Sequence, residues 1–67
     1  MVDEKLLNQT IKESGISKTH IAKQLGISRT ALYDKIGNRA QLTYTDAIVL
    51  CDVLRITNFD DMRKILG

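Results

Sequence analysis

Between Ile16 and Thr43 the sequence sets five cations, Lys18, Lys23, Arg29, Lys35 and Arg39, against the single carboxylate Asp34, while both flanks lean acidic. Such a cluster has two readings: solvated charge on ordinary surface helices, or a face for an anionic partner such as nucleic acid. The residues offer little to catalysis. No paired carboxylates fall at cleft spacing, no glycine-rich loop could cradle a phosphate, and no Cys/His cluster exists, so an enzyme is the weakest reading. Cys51 and His20 alone cannot build a zinc site. His20 reads as a solvent-facing helix residue and Cys51 as a small apolar core residue. No metal, cofactor or small-molecule ligand is expected. With one cysteine there is no internal disulfide, which points to a reducing cytoplasm.

Sixty-seven residues with 43% apolar and 27% charged side chains, and no proline or tryptophan, suit one small helical domain spanning residues 1–67. A chain this short buries roughly 60% of its unfolded surface, and its core supplies about 3–5 kcal/mol. The longest apolar run, Ala47 to Cys51, is far too short for a membrane span, and the start Met1-Val2-Asp3-Glu4 lacks the basic-then-apolar order of a signal peptide.

Four glycines divide the chain, each where an apolar helical pattern stops, as suits a left-handed helix end. The first segment, about 3–14, puts Leu6, Leu7, Thr10 and Ile11 on one face, with Asp3 as cap. Ser17 caps a second helix through Gln24 with Ile21, Ala22 and Leu25 inward. Ser28 caps a third that buries Leu32 and Ile36 and stops at Gly37. Thr43-Tyr44-Thr45-Asp46 resembles a capping box opening a fourth helix that ends near Ile56. Ala47, Ile48, Leu50, Cys51, Val53 and Leu54 make that helix apolar over more than half its circumference, so it is expected to be the core element, contacted from several sides. Asn58 caps a last helix in which Phe59, Met62, Ile65 and Leu66 recur at helical steps; Phe59 and Met62 read as core. The expected fold class is all-α, a compact five-helix bundle.

Residues 17–37 form two short helices joined by Leu25-Gly26-Ile27-Ser28, which is helix-turn-helix spacing. The turn needs a small residue where the helices approach, a glycine able to take positive φ, and apolar anchors on both inner faces. Ala22, Gly26 and the set Ile21, Leu25, Ile27, Leu32 and Ile36 meet these needs together. The run from Thr19 to Tyr33, Thr-His-Ile-Ala-Lys-Gln-Leu-Gly-Ile-Ser-Arg-Thr-Ala-Leu-Tyr, resembles the Cro and repressor helix-turn-helix family of lambdoid bacteriophages and related bacterial regulators. The resemblance implies a bundle of about five short helices that binds double-stranded operator DNA. Two departures stand out. Lys35 occupies a position where many relatives keep a small or apolar residue, so Ile36 takes over the anchoring. The helical tail after Phe59 argues against a dimer built through a C-terminal strand.

On a wheel centred on Leu32 and Ile36, the third helix turns Thr30 and Asp34 outward with Arg29 and Tyr33 on one flank. These four are the candidate base contacts. Arg29 could bind guanine O6 and N7 with two parallel hydrogen bonds; Thr30 and Tyr33 could meet thymine or sugar. Asp34 would accept from cytosine, orient a neighbouring arginine or reject wrong bases. Ser17, Lys18, Thr19 and Ser28, at the helix starts, are candidate phosphate contacts, with Lys35, Asn38, Arg39 and Thr43 as a clamp beyond the third helix. Each has a plainer alternative: Lys18 solvated, Thr43 only a cap, Arg39 paired with Asp34 or Asp46. The expected function is a sequence-specific DNA-binding repressor acting by operator occlusion, as a homodimer on a palindrome. The competing reading is a helix-turn-helix used for protein binding, as in an antirepressor, antitoxin or scaffold component. That use would favour an apolar outer face on the third helix.

Overall fold

The computed structural model describes residues 1–67 as five α-helices: α1 (Glu4–Ser14), α2 (Lys18–Leu25), α3 (Arg29–Ile36), α4 (Tyr44–Leu54) and α5 (Phe59–Leu66). Every N-terminus is capped by the preceding side chain. Asp3 accepts from the Leu6 amide, Ser17 from His20, Ser28 from Ala31, Thr43 from Asp46 and Asn58 from Asp60. Each cap satisfies one amide that helical geometry orphans. Helices of eight to eleven residues are marginal in isolation. Their stability comes from a shared core of Val2, Leu7, Ile11, Ile21, Ala22, Leu32, Ile36, Leu50, Leu54 and Ile65. In this arrangement α2 packs on both α3 and α4, while α1 bridges α3, α4 and α5.

The helix-turn-helix angle is set at Gly26, whose φ of 70° lies in the left-handed region. Its amide donates back to Ala22 and Lys23, and the Ile27 amide to Ala22, closing α2 in a tight turn before Ser28 opens α3. The end of α3 departs from the glycine rule. Gly37 sits at φ −83°, and the left-handed residue is Asn38, at φ 61°. Asn38 takes that conformation because its amide group is held at both ends by the N-terminal arm. The Val2 amide donates to Asn38 Oδ1 at 3.0 Å, and Asn38 Nδ2 donates to the Val2 carbonyl at 2.9 Å. The Asp3 amide donates to the Ile65 carbonyl at 2.9 Å, so the arm also joins α5.

Two packing expectations are overturned. α4 buries Leu50, Leu54 and Asp46, but Ile48 is 53% exposed and Tyr44, at its first turn, 83% exposed. A domain this small has too few elements to cover α4 on its outer side. Phe59 is likewise 65% exposed, standing at the first position of α5 with the Arg63 guanidinium 6.0 Å from its ring centroid. Ile65 fills the core from α5 instead.

Candidate nucleic-acid interface

Capping by Ser17 and Ser28 aims the first turns of α2 and α3 outward with their leading amides free. Both serine oxygens accept from their own helix, which leaves each hydroxyl proton to donate elsewhere. On α3, Leu32 and Ile36 are buried, Thr30 is exposed on the other side and Tyr33 on the flank, while Arg29, a turn before Leu32 on its own side, is exposed at the helix start. The Lys18 ammonium lies 5.0 Å from the Tyr33 ring centroid, within cation–π range. That contact joins the start of α2 to the outer flank of α3. Ser17, Thr19, Ser28, Arg29, Thr30 and Tyr33 are exposed and Lys18 is half-buried, and the Lys18–Tyr33 contact links the two helices.

Asp34 is partly exposed, and its Oδ1 accepts from Arg39 Nε at 3.2 Å. At 72% and 41% side-chain exposure for the arginine and the aspartate, such a pair contributes little to stability and opens easily. It keeps the arginine beside α3. The Arg39 and Ala40 amides both donate to the Asp34 carbonyl, folding the chain back onto the helix end.

Two expected phosphate ligands are turned to other work. The Lys35 ammonium bonds Asp46 Oδ2 at 2.6 Å and the Gln41 carbonyl at 3.0 Å, with only 15% of the lysine side chain and 13% of the aspartate side chain exposed. Beside the anchor Ile36, the lysine stem runs inward. Its charge therefore ties α3 to the start of α4 instead of facing a phosphate strand. Asn38 has its amide group committed to Val2, so its side chain also leaves the clamp.

Asp46 is the residue that sequence reasoning undervalued. Thr43 and Asp46 form the expected capping box: the Asp46 amide donates to Thr43 Oγ1 at 3.1 Å and the Thr43 amide to Asp46 Oδ2 at 3.0 Å. The same carboxylate also takes Lys35. Burial alone would raise the Asp46 carboxyl. The hydrogen bonds from Lys35 and Thr43, with the lysine charge, outweigh it and hold the group below its ordinary value. The available signal was Lys35 itself, a charge where the motif keeps an apolar group. Burial pushes the Cys51 thiol above its usual value, in keeping with a residue that packs and does not react.

Residues 1–38 match the family model described as bacterial regulatory protein, Fis family. The chain belongs to this family. The match takes in the N-terminal arm, α1 and the whole helix-turn-helix, and stops at Asn38, where the arm is tied down. Fis-family membership makes the chain a helix-turn-helix DNA-binding transcriptional regulator; the narrower Cro and phage-repressor resemblance is not what the match identifies. No curated protein and no solved structure matches the chain. No helix is long and apolar enough to cross a membrane.

Proposed function

We propose that this Fis-family domain is a sequence-specific repressor that lays α3 in the major groove and blocks a promoter by occupying its operator, in the manner of a Cro protein. The observation that carries the proposal is the Lys18–Tyr33 contact, which puts a rim cation and the outward polar flank of α3 on one face. In this reading Arg29, Thr30 and Tyr33 meet base edges, with Arg29 supplying most of the discrimination at about 1–3 kcal/mol for a bidentate guanine contact. Asp34 acts chiefly through Arg39, holding the guanidinium ready for the phosphate strand and releasing it at low cost. Ser17, Lys18, Thr19 and Ser28 take phosphates at the two helix starts, with Arg39 and Thr43 on the far side. Lys35 and Asn38 set the position of that far side from within. One copy reads half a site, so two copies bind a palindrome with half-sites about one helical turn apart. The outer faces of α2 and α3 are polar, which favours DNA over a protein partner, and α2 shows Lys18, Lys23 and Gln24 where an acidic activating patch would be needed.

Titration of a fluorescent random-sequence duplex at two salt concentrations tests this reading. Affinity should fall as salt rises, with a log–log slope of about −0.9 for each phosphate neutralised. Lys18→Ala should weaken every duplex alike and flatten the slope by about 1. Salt-independent binding, or none at low salt, would remove the proposal.

A further inference from the structure

The turn that ends α3 is built around an asparagine where a glycine is usual. The Arg39 amide donates to the Asp34 carbonyl at 2.8 Å and the Asn38 amide to the Lys35 carbonyl at 3.4 Å. These are the two bonds of a Schellman motif, and its left-handed position falls on Asn38, at φ 61°. The motif sets the residue after that position against the helix residue five before it, ordinarily as an apolar contact. Here the two are Arg39 and Asp34, and the contact is an ion pair, Nε to Oδ1 at 3.2 Å. The left-handed turn therefore decides which way Arg39 leaves the helix. Residues with a Cβ disfavour that conformation, and Asn38 holds it through the clasp of its amide group on the Val2 backbone. Val2 is buried, and the Asp3 amide beside it is bonded to Ile65 in α5. Glu4 follows. Its Oε2 and Arg39 Nη2 both stand beside Gly37, 3.1 and 3.7 Å from where a Cβ on that glycine would lie, so the arm also fixes a carboxylate near the guanidinium.

We propose that the N-terminal arm belongs to the DNA-binding machinery, acting through Asn38 as a positioning residue that delivers Arg39 to the phosphate strand. The proposal rests on Arg39 meeting a phosphate, as in the repressor reading, and adds a requirement for the arm. An exposed arginine has many rotamers, and its contact is strongest when the stem starts from a fixed place. The route from the arm is short: the Ile65 carbonyl holds Asp3, Val2 holds Asn38, and one peptide bond joins Asn38 to Arg39. The coupling is reciprocal. Whatever loosens the arm weakens the phosphate contact, and a phosphate held by Arg39 tightens the arm by the same factor. Two elements outside the helix-turn-helix, the arm and α5, thereby bear on DNA affinity.

A double-variant cycle on random duplex tests the positioning role. At about 0.1 M salt one phosphate contact is worth about eightfold in affinity, and its loss flattens the log–log slope by about 0.9. Arg39→Ala and Asn38→Ala should each show that loss. The double variant should lose less than about twofold beyond either, because both changes remove the same contact. Asn38→Gly, which takes positive φ without a clasp, should return the slope to that of the parent. In the unaltered chain a saturating duplex should slow hydrogen exchange at the Val2 amide by about eightfold, the same coupling read from the other end, and leave the Arg55 amide at the far end of α4 unchanged. In Arg39→Ala neither amide should slow. Circular dichroism shows whether each variant is folded, and the exchange measurement on the parent decides the matter if Asn38→Ala is not. Losses that multiply in the double variant, a glycine variant as flat as the alanine one, or Val2 exchange indifferent to duplex would overturn the positioning role. The two readings fail separately. An Asn38→Ala chain that matches a salt-dependent parent removes the positioning and keeps the repressor; a parent that ignores duplex DNA removes both.

Discussion

Replacing Asp46 with alanine strips two interactions from the junction of α3 and α4: the Lys35 ion pair at 2.6 Å, and the Thr43 amide bond at 3.0 Å that is the carboxylate half of the capping box. Exposed pairs contribute about 0–1 kcal/mol, whereas breaking a buried one by removing a partner costs about 3–5. With 15% and 13% of the two side chains exposed, this pair belongs nearer the buried case. The lysine is left with the Gln41 carbonyl alone. Counting about 2 kcal/mol for the pair and about 1 for the cap, Asp46→Ala should lose about 3 kcal/mol. A core of this size supplies about 3–5, so the variant would be barely folded, with Tm lower by about 12–24 °C. Thermal and urea unfolding followed by circular dichroism measure the loss. Lys35→Met combined with Asp46→Ala should recover at least about 1 kcal/mol, because no uncompensated ammonium remains. Acid gives a second readout. The folded carboxyl titrates below its unfolded value of about 3.9, so its contribution is complete above about pH 4 and disappears as pH falls through the lower folded value. Parent and variant should therefore converge in acid. A Tm drop of only a few degrees at pH 7, or a double variant less stable than the single, would refute the reasoning.

The turn residues make a contrasting pair: Gly26→Ala should cost about 1–2 kcal/mol, since φ of 70° strains any side chain even with nothing near the new Cβ. Gly37→Ala, at φ −83° and so free of that strain but 3.1 Å from the movable Glu4 carboxylate and 3.3 Å from the Tyr33 backbone carbonyl, should cost less than about 1 kcal/mol by the same urea titration. Asn38→Ala should cost about 2 kcal/mol, through two lost bonds to Val2 and an unfavourable positive φ, and hydrogen exchange at the Val2 amide should speed up. Leu50→Ala should cost about 3 kcal/mol by chemical denaturation and Phe59→Ala less than about 1, the reverse of their side-chain sizes, because only Leu50 is buried.

What the sequence displayed was local. Asp3, Ser17, Ser28, Thr43 and Asn58 announced the five helix starts because capping is decided within three residues, and Gly26 announced the turn because its positive φ leaves few alternatives. The inward positions Leu32 and Ile36 followed from periodicity, and with them the exposure of Thr30 and Tyr33, while Arg29 is exposed because it stands at the helix start. What stayed hidden was set by partners distant in the chain. Asn38 bonds Val2 thirty-six positions away, and Lys35 reaches Asp46 across a loop eleven positions on. Neither separation leaves a periodic trace. The outer side of α4 misled for a related reason: an apolar residue in a helix announces burial only if some other element is there to bury it, and none of the other four helices covers Tyr44 and Ile48.

The central claim is that the outward flank of α3 reads bases, and selectivity measured on Arg29→Ala tests it most directly. A preferred duplex is first selected from a random pool with the parent chain. Parent and variant are then titrated with that duplex and with random duplex at one salt concentration. The account predicts that the ratio of the two affinities collapses by about 5- to 150-fold, as expected for a lost contact of about 1–3 kcal/mol, while random-duplex binding changes far less. An unchanged ratio would contradict it, since the discrimination would then arise from some other part of the molecule.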